Sequence, residues 1–316
     1  MIAWPGIAKR MAFVLRLDRD PGAELARVLR AEVDDALRLL AVTPRDAGAF
    51  RAAIHDARRA LRRCRAALRL LPPDLAIDTL VQPLRAAGRA LSPLRDTQAL
   101  LETLAQLQQQ QPALLGSAHP ALLQRLARQV RAGERKHVGG VLAATVALRI
   151  LVTTLAGWRP EVTHAQLWRG LRRGALRAAR ATHSAHEHAD EAALHRWRRR
   201  MRDHALQLEL LSGAWPLVLA GEVAERKRLA RMLGHWRDLG GLQAHVRRLR
   251  GTHLGRLSRD SLLQRLRHAR AVLPRDAQAL AARVHAEPPR ALALRVARYH
   301  EAARAGSAAP PHSGAF

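Results

Sequence analysis

Apolar residues recur along this chain at the three-and-four spacing of amphipathic helices, and no strand-like alternation extends beyond the short run 11–17. The most sharply divided stretch is 53–71, AIHDARRALRRCRAALRLL. At 100° per residue, Phe50, Ile54, Ala57, Leu61, Cys64, Leu68 and Leu71 share one face. His55, Arg58, Arg62, Arg65 and Arg69 form a stripe along its flank, at offsets of +3, +7, +10 and +14 from the histidine. Neighbouring guanidiniums on such a line repel by a few tenths of a kcal/mol per i,i+4 pair. A helix of this rise makes the stripe roughly 21 Å long, which suits an extended polyanion better than a single anion.

The pattern occurs twice. Residues 193–211 read ALHRWRRRMRDHALQLELL, and a shift of 140 positions lays His55 on His195. Arg58, Arg59 and Arg62 then fall on Arg198, Arg199 and Arg202, and the apolar face returns as Leu194, Trp197, Met201, Leu208 and Leu211. A second marker follows each copy: Arg95-Asp96 in LRD, 41 residues after His55 to the aspartate, and Arg237-Asp238 in WRD, 43 after His195. Two markers at nearly equal spacing indicate an internal duplication of a helical unit.

Taken in order, the pattern predicts a loose lead-in over 1–20 with a short extended piece. Helices follow over 24–40, 45–71, 74–90 and 93–109, then a glutamine-rich loop over 108–117. Two more helices, 120–136 and 138–156, complete a first unit, 21–160. The second unit, 161–304, holds helices over 162–182, 190–211 and 224–233, another from Asp238 to about 250, and further helices in 259–304 broken at Pro274 and Pro288-Pro289. The tail, 305–316, is expected to be disordered. The expected architecture is all-α: two homologous four-helix bundles around a pseudo-two-fold axis, their basic rows lining one shared groove.

Composition sharpens this. Lys and Arg number 54 against 26 Asp and Glu, giving a formal net charge of +28, which calls for a polyanionic partner or an anionic surface. Only Lys9, Lys136 and Lys227 are lysines. Arginine pairs with phosphate through a planar fork, whereas lysine offers a point charge. Aromatic residues make up 3%, too few for a base-stacking surface, so general nucleic-acid binding is the weaker alternative. The lone cysteine, Cys64, falls on an apolar face and reads as a core thiol. No apolar run of 18 residues suggests a membrane span, and no leader-like segment follows Lys9 and Arg10.

The expected phosphate-binding set is His55, Arg58, Arg62, Arg63, Arg65 and Arg69 in the first unit, with His195, Arg198, Arg199 and Arg202 in the second. Arg173, Arg177 and Arg180 add a further basic strip, with Arg131, Arg135 and Lys136 as its counterpart. The histidines are read either as phosphate donors or as structural residues bonded to a backbone or carboxylate group. Asp96 and Asp238, beside Arg95 and Arg237, are read as groups that orient a groove arginine. No phosphate-cradling Gly-rich loop with Lys-Ser/Thr appears, and no acidic metal cluster, so neither an enzyme nor a cofactor is expected. The run HSAHEH, 183–188, matches no zinc spacing and is placed in an interhelix break. Trp168, Trp197 and Trp236 are expected in the core, and Trp4 and Trp158 at the surface.

These residues resemble the CHAD family, the conserved-histidine α-helical domains. His55-Arg58-Arg62 with Arg95-Asp96, and His195-Arg198-Arg202 with Arg237-Asp238, match the family's doubled pattern over about residues 12–300. The resemblance implies two four-helix bundles that bind inorganic polyphosphate, in members often found on cytoplasmic polyphosphate granules. One departure stands out: Ala205 and Leu206 occupy +10 and +11 of the second copy, where the family usually keeps Arg and Tyr. Glu209 at +14 fits the family's second-repeat pattern. The first half is therefore expected to be the richer site.

Overall fold

The computed structural model describes residues 13–41, 47–75, 77–134, 138–188, 190–249 and 256–308, with the side chains of 94–98 and 130–134 among those outside the description. Among the described residues the regular elements are all helical. In the first half they are α1 (Pro21–Ala41), α2 (Ala47–Leu68), α3 (Asp78–Ala90), α4 (Pro93–Gln110), the single turn α5 (Pro112–Leu115), α6 (His119–Glu134) and α7 (Val138–Gly157). The second half holds α8 (His164–His188), α9 (Glu191–Leu210), α10 (Pro216–Arg248), α11 (Arg256–Val284) and α12 (Pro289–Ala308).

Local chemistry sets several of these limits. The Asp20 carboxylate accepts from the Ala23 amide at 2.7 Å and caps α1; Asp190 does the same for α9 through Ala193 at 2.6 Å. Pro93 and Pro216 stand in the first turns of α4 and α10, where the missing N–H costs nothing.

Several expectations are corrected. The stretch 216–248 forms one 33-residue helix rather than two. A mid-helix glycine costs about 1 kcal/mol, less than the helix gains by burying Leu229, Leu233, Leu239, Leu242 and Val246. Pro274 likewise lies inside α11 rather than ending it, with Leu266 and Ala277 fully buried on either side. The histidines of HSAHEH sit in the last turns of α8, not in a break. The glutamine-rich segment contains α5 and a turn of 3-10 helix over Gly116–Ala118. The lead-in is packed from Phe13 onward: Phe13 and Leu15 are buried, and the Leu15 amide donates to the Leu210 carbonyl at 2.9 Å. α12 carries helix to Ala308, into the expected tail, while 1–12 and 309–316 lie outside the described residues. Trp197 and Trp236 are in the core as expected and Trp168 is half-buried against it; Trp158 also packs partly inward, Trp215 is the exposed indole among the described residues, and Trp4 lies outside them.

Packing does not divide at residue 160. The largest hydrophobic cluster gathers Leu25 and Leu29 of α1, Leu61 and Leu68 of α2, Leu84 of α3 and Leu148 of α7, but also Leu171 of α8, Leu208 of α9 and Val296 of α12. A second joins Leu104 and Leu107 of α4 and Leu122 and Leu126 of α6 to Leu239 and Leu242 of α10 and Leu262 of α11. The third is confined to α8–α11, around Trp197 and Met201. Cys64 lies in the first cluster, where burial pushes its thiol up.

Among the described residues α7 is the one helix long and apolar enough to cross a membrane by length and composition, which a core helix also satisfies. Its inner side, with Ala144, Leu148 and Leu151, packs on α1 and α3, while Leu142, Val146 and Ile150 face outward.

The two histidine-bearing helices, α2 and α9, pack on each other near the C-terminal end of α2. There Gln207 Nε2 of α9 donates to the Ala66 carbonyl at 3.3 Å. α8 crosses the same point so closely that a Cβ on Gly170 would overlap the Leu70 carbonyl. Arg173 Nη2 of α8 donates to the carbonyls of Leu70 and Leu71, each at 2.9 Å, capping the end of α2. This junction fixes how the two arginine rows face each other.

Candidate functional site

The apolar face of α2 determines where its arginines go. With Ile54, Ala57, Leu61, Cys64 and Leu68 buried, Arg58, Arg62 and Arg65 emerge along one edge. On α9, burial of Leu194, Trp197, Met201 and Leu208 does the same for Arg198 and Arg202. All five border one cleft of about 720 Å3. α3 adds Arg85 and Arg89 to its wall, and α10 adds Arg237 and Arg248, so among the described residues nine arginines face two carboxylates, Glu191 and Asp238. None of the described residues bordering it is aromatic.

The cleft's arginines are held in place by neighbouring backbone and small residues. Arg58 Nη1 donates to the Gly88 carbonyl and to Ser92 Oγ, both at 3.1 Å, tying α2 to the end of α3. Arg65 Nη1 lies against Gly88, and Arg198 lies against Gly234, where a Cβ would stand 3.3 Å from its Nε. Arg270 stacks on Trp236 at 4.0 Å and fills the space beside Gly240, while its Nη2 reaches Glu191 at 3.0 Å.

Positive charge accumulates here beyond what the carboxylates offset. Burial lowers the pKa of Arg202 to about 10; Asp203 opposes the shift, while Arg198, Arg65 and Arg69 add to it. Its Nε is buried with no acceptor among the described residues. Arg65 is lowered by burial and then by Arg69, and Arg200 by burial and then by Arg69, in spite of Asp203, and by Arg177. The guanidiniums thus form a continuous electrostatic neighbourhood from Arg198 through Arg202, Arg65 and Arg69 to Arg200 and Arg177.

A second cleft of about 1200 Å3 adjoins the first and shares Arg62, Arg198, Arg202 and Asp238 with it. It is more evenly charged: eight Arg and Lys side chains face five carboxylates, among them Glu32, Asp56 and Glu209. Arg63 bridges the halves here, with Nη1 on Glu32 at 3.0 Å, Nη2 at 3.9 Å from Glu209, and its guanidinium 4.8 Å from the Phe13 ring centroid. Lys227 holds Glu209 at 2.6 Å. Burial raises the pKa of Glu32 to about 7 even against Arg63.

The residues expected from sequence separate into groups. Arg58, Arg62, Arg65, Arg198 and Arg202 come together in the first cleft, with Arg237 and Asp238 beside them. Arg63 borders the second cleft in its ion pairs, and Arg69 donates to Asp203 across the α2–α9 junction. Arg173, Arg177, Arg180 and Arg199 border neither cleft; Arg173 is occupied as the cap of α2, and the other three are exposed. The histidines differ: His55 borders the second cleft, His195 neither. Burial lowers the pKa of His195, followed by Arg199, Arg237, Arg198 and Arg202, so its ring favours the neutral form near these cations. The side chains of Arg95, Asp96 and Arg131, and residues Arg135 and Lys136 altogether, lie outside the described residues.

Sequence reasoning missed Arg85, Arg89 and Arg248. A signal existed for the first two, which stand at i and i+4 on a short helix whose apolar face is Leu80, Leu84 and Ala87. Among the described residues, no group of three or more His, Cys, Asp or Glu side chains is placed to hold a metal ion.

No curated protein matches the chain in a sequence comparison. The family model described as CHAD domain matches residues 27–247, a narrower span than the 12–300 expected from the motifs. That span contains both histidine helices, α3 and α10 up to Arg247, and nearly all of the arginine cleft. The chain therefore belongs to the CHAD family, which is associated with polyphosphate binding.

Proposed function

We propose that this protein binds inorganic polyphosphate in the cleft shared by α2 and α9, without chemistry on the chain. The observation that carries the reading is the convergence of Arg58, Arg62 and Arg65 with Arg198 and Arg202 on one wall-to-wall arginine surface. Each guanidinium offers a two-pronged donor matched to phosphate oxygens. Many such contacts on one linear ligand act at high effective concentration, so long chains should outbind short ones. The run toward Arg69, Arg200 and Arg177 gives a long chain a path out of the cleft.

In this reading the two halves are duplicated bundles about a pseudo-two-fold axis. Equal offsets from the histidines support it, as does the recurrence of helix pairings: α1 on α2 and α8 on α9, α1 on α7 and α8 on α12, α4 on α6 and α10 on α11. The first half contributes more, because position +10 is Arg65 on α2 and the buried Ala205 on α9. Binding rather than catalysis is supported by the state of the cleft's two carboxylates. Glu191 pairs with Arg270, and Asp238 lies 3.9 Å from Arg237, which suits positioning of cations. Attachment to polyphosphate granules in the cytoplasm is part of the proposal.

A competition titration tests it. Long-chain polyphosphate should remain bound against an equal phosphate concentration of single-stranded or duplex DNA, since the described residues of the cleft offer no aromatic surface for bases. Displacement by DNA would replace this reading with general nucleic-acid binding. Release of orthophosphate in the presence of Mg2+ or Mn2+ would overturn the non-catalytic part.

A further inference from the structure

A cavity of about 810 Å3 lies apart from the arginine cleft, between the segment 14–18, the α9–α10 junction and the C-terminal half of α12. It shares no bordering residue with that cleft, and only Glu209 and Lys227 with the adjoining one. Its walls are apolar: Val14, Leu15 and Leu17 on one side, Pro216, Ala220 and Val223 on the other. The volume falls within the range of small-ligand sites, about 300–1,000 Å3.

The polar groups around it are few and unequal. His300 of α12 borders the cavity, is 4% exposed, and packs against His164 with ring centroids 4.3 Å apart and the rings tilted by 32°. Its Nε2 is buried without a hydrogen-bond partner among the described residues, whereas His164 Nε2 already meets the Leu17 carbonyl at 3.1 Å. Arg304, one turn further along α12, is exposed at the rim and makes no ion pair among the described residues. The other charges bordering the cavity are matched, Lys227 to Glu209, Arg16 to Glu24 and Asp18 to Arg19, while Glu301, whose charge acts on His300, lies outside its border. A buried imidazole with an unused ring nitrogen costs stability unless something serves it. One unmatched cation at the mouth of an apolar chamber sets the sign of what enters.

We propose that this cavity is a second binding site, independent of polyphosphate, for a small amphipathic anion. The apolar body of the ligand, an alkyl chain or an aromatic ring system, lies between Leu15, Leu17 and Val223. Its single acidic head, a carboxylate or sulfonate, sits toward Arg304 and His300.

The fluorescent monoanion 8-anilinonaphthalene-1-sulfonate is a direct probe, titrated into the full chain. One molecule per chain should bind with a blue-shifted emission. Ala220→Trp, which fills the chamber, and Arg304→Glu, which reverses the rim, should each weaken it at least tenfold. Ile150→Glu, on the exposed face of α7, should leave it unchanged, as should saturating polyphosphate. Retained polyphosphate affinity in Ala220→Trp shows that this variant is folded; where it does not fold, Arg304→Glu decides. Undiminished dye binding in the folded Ala220→Trp variant or in Arg304→Glu, its loss in Ile150→Glu, or its displacement by polyphosphate would overturn the assignment.

Discussion

Arg62 of α2 and Arg202 of α9 stand at the same place in their helices, seven residues after the histidine, and border the same two clefts. Two like charges brought together from distant parts of one chain cost stability. Arg202 bears that cost most plainly, because its Nε has no acceptor among the described residues and burial lowers its pKa.

Arg202→Met should therefore separate stability from binding. A buried cation replaced by an apolar side chain of similar length is often neutral or stabilising. Urea unfolding should show no loss beyond about 1 kcal/mol, within the range seen for such replacements. Polyphosphate affinity should fall several-fold in the same protein.

Arg63 should behave in the opposite way. It holds Glu32 at 3.0 Å and lies 3.9 Å from Glu209, so its removal strands the buried Glu32 carboxyl, while Glu209 keeps Lys227 at 2.6 Å. Glu32, its pKa already raised to about 7, can then take up a proton, so Arg63→Ala should cost about 1–3 kcal/mol in chemical denaturation, the scale of an unsatisfied buried polar group. At a temperature where it remains folded, its polyphosphate affinity should change less than that of Arg62→Ala.

Polyphosphate binding should strengthen as pH falls. Burial and four arginines hold the pKa of His195 below its ordinary 6.5 in the unbound protein. A polyanion nearby offsets those cations and raises it, so binding takes up protons. Affinity should then rise as pH drops from about 7.5 toward 5.5, as the His195 ring becomes charged. The imidazole resonances of His195 should show the shift, and His195→Gln should flatten the profile.

The packed lead-in predicts an acid-sensitive contact. Burial pushes the Glu24 carboxyl up, but hydrogen bonds from Arg27 and Arg16 overcome it and hold the pKa at about 2. A carboxylate with a depressed folded pKa contributes its stability above its unfolded value, and loses it as pH falls toward the folded one. Glu24→Gln should destabilise by about 2 kcal/mol at pH 7, the scale of a charge-assisted bond. The difference should shrink steadily between about pH 4.5 and pH 2.

Much of this was readable from residues alone. The apolar faces of α2 and α9 fixed which arginines could meet, because helical periodicity leaves one edge for them once Leu61 and Met201 are inside. Helix limits were legible where Asp190 or Pro93 set them. They were not where tertiary burial overrode a local breaker, as at Pro274, or carried the helix through the expected gap at Gly234. The roles of Arg63 and Arg173 were hidden for another reason. Both lie in arginine-rich runs, and only the approach of distant elements, Glu32 for one and the end of α2 for the other, assigns them a structural partner. The second cavity had no sequence signal at all, since its walls come from three separated segments.

The most direct measurement is equilibrium binding of long-chain polyphosphate to the native chain and to the Arg62→Ala/Arg202→Ala variant, both verified as folded by circular dichroism. A shared arginine cleft predicts at least a tenfold loss of affinity in the double variant and a shallower dependence on salt. Equal affinity and equal salt dependence in the two proteins would contradict it.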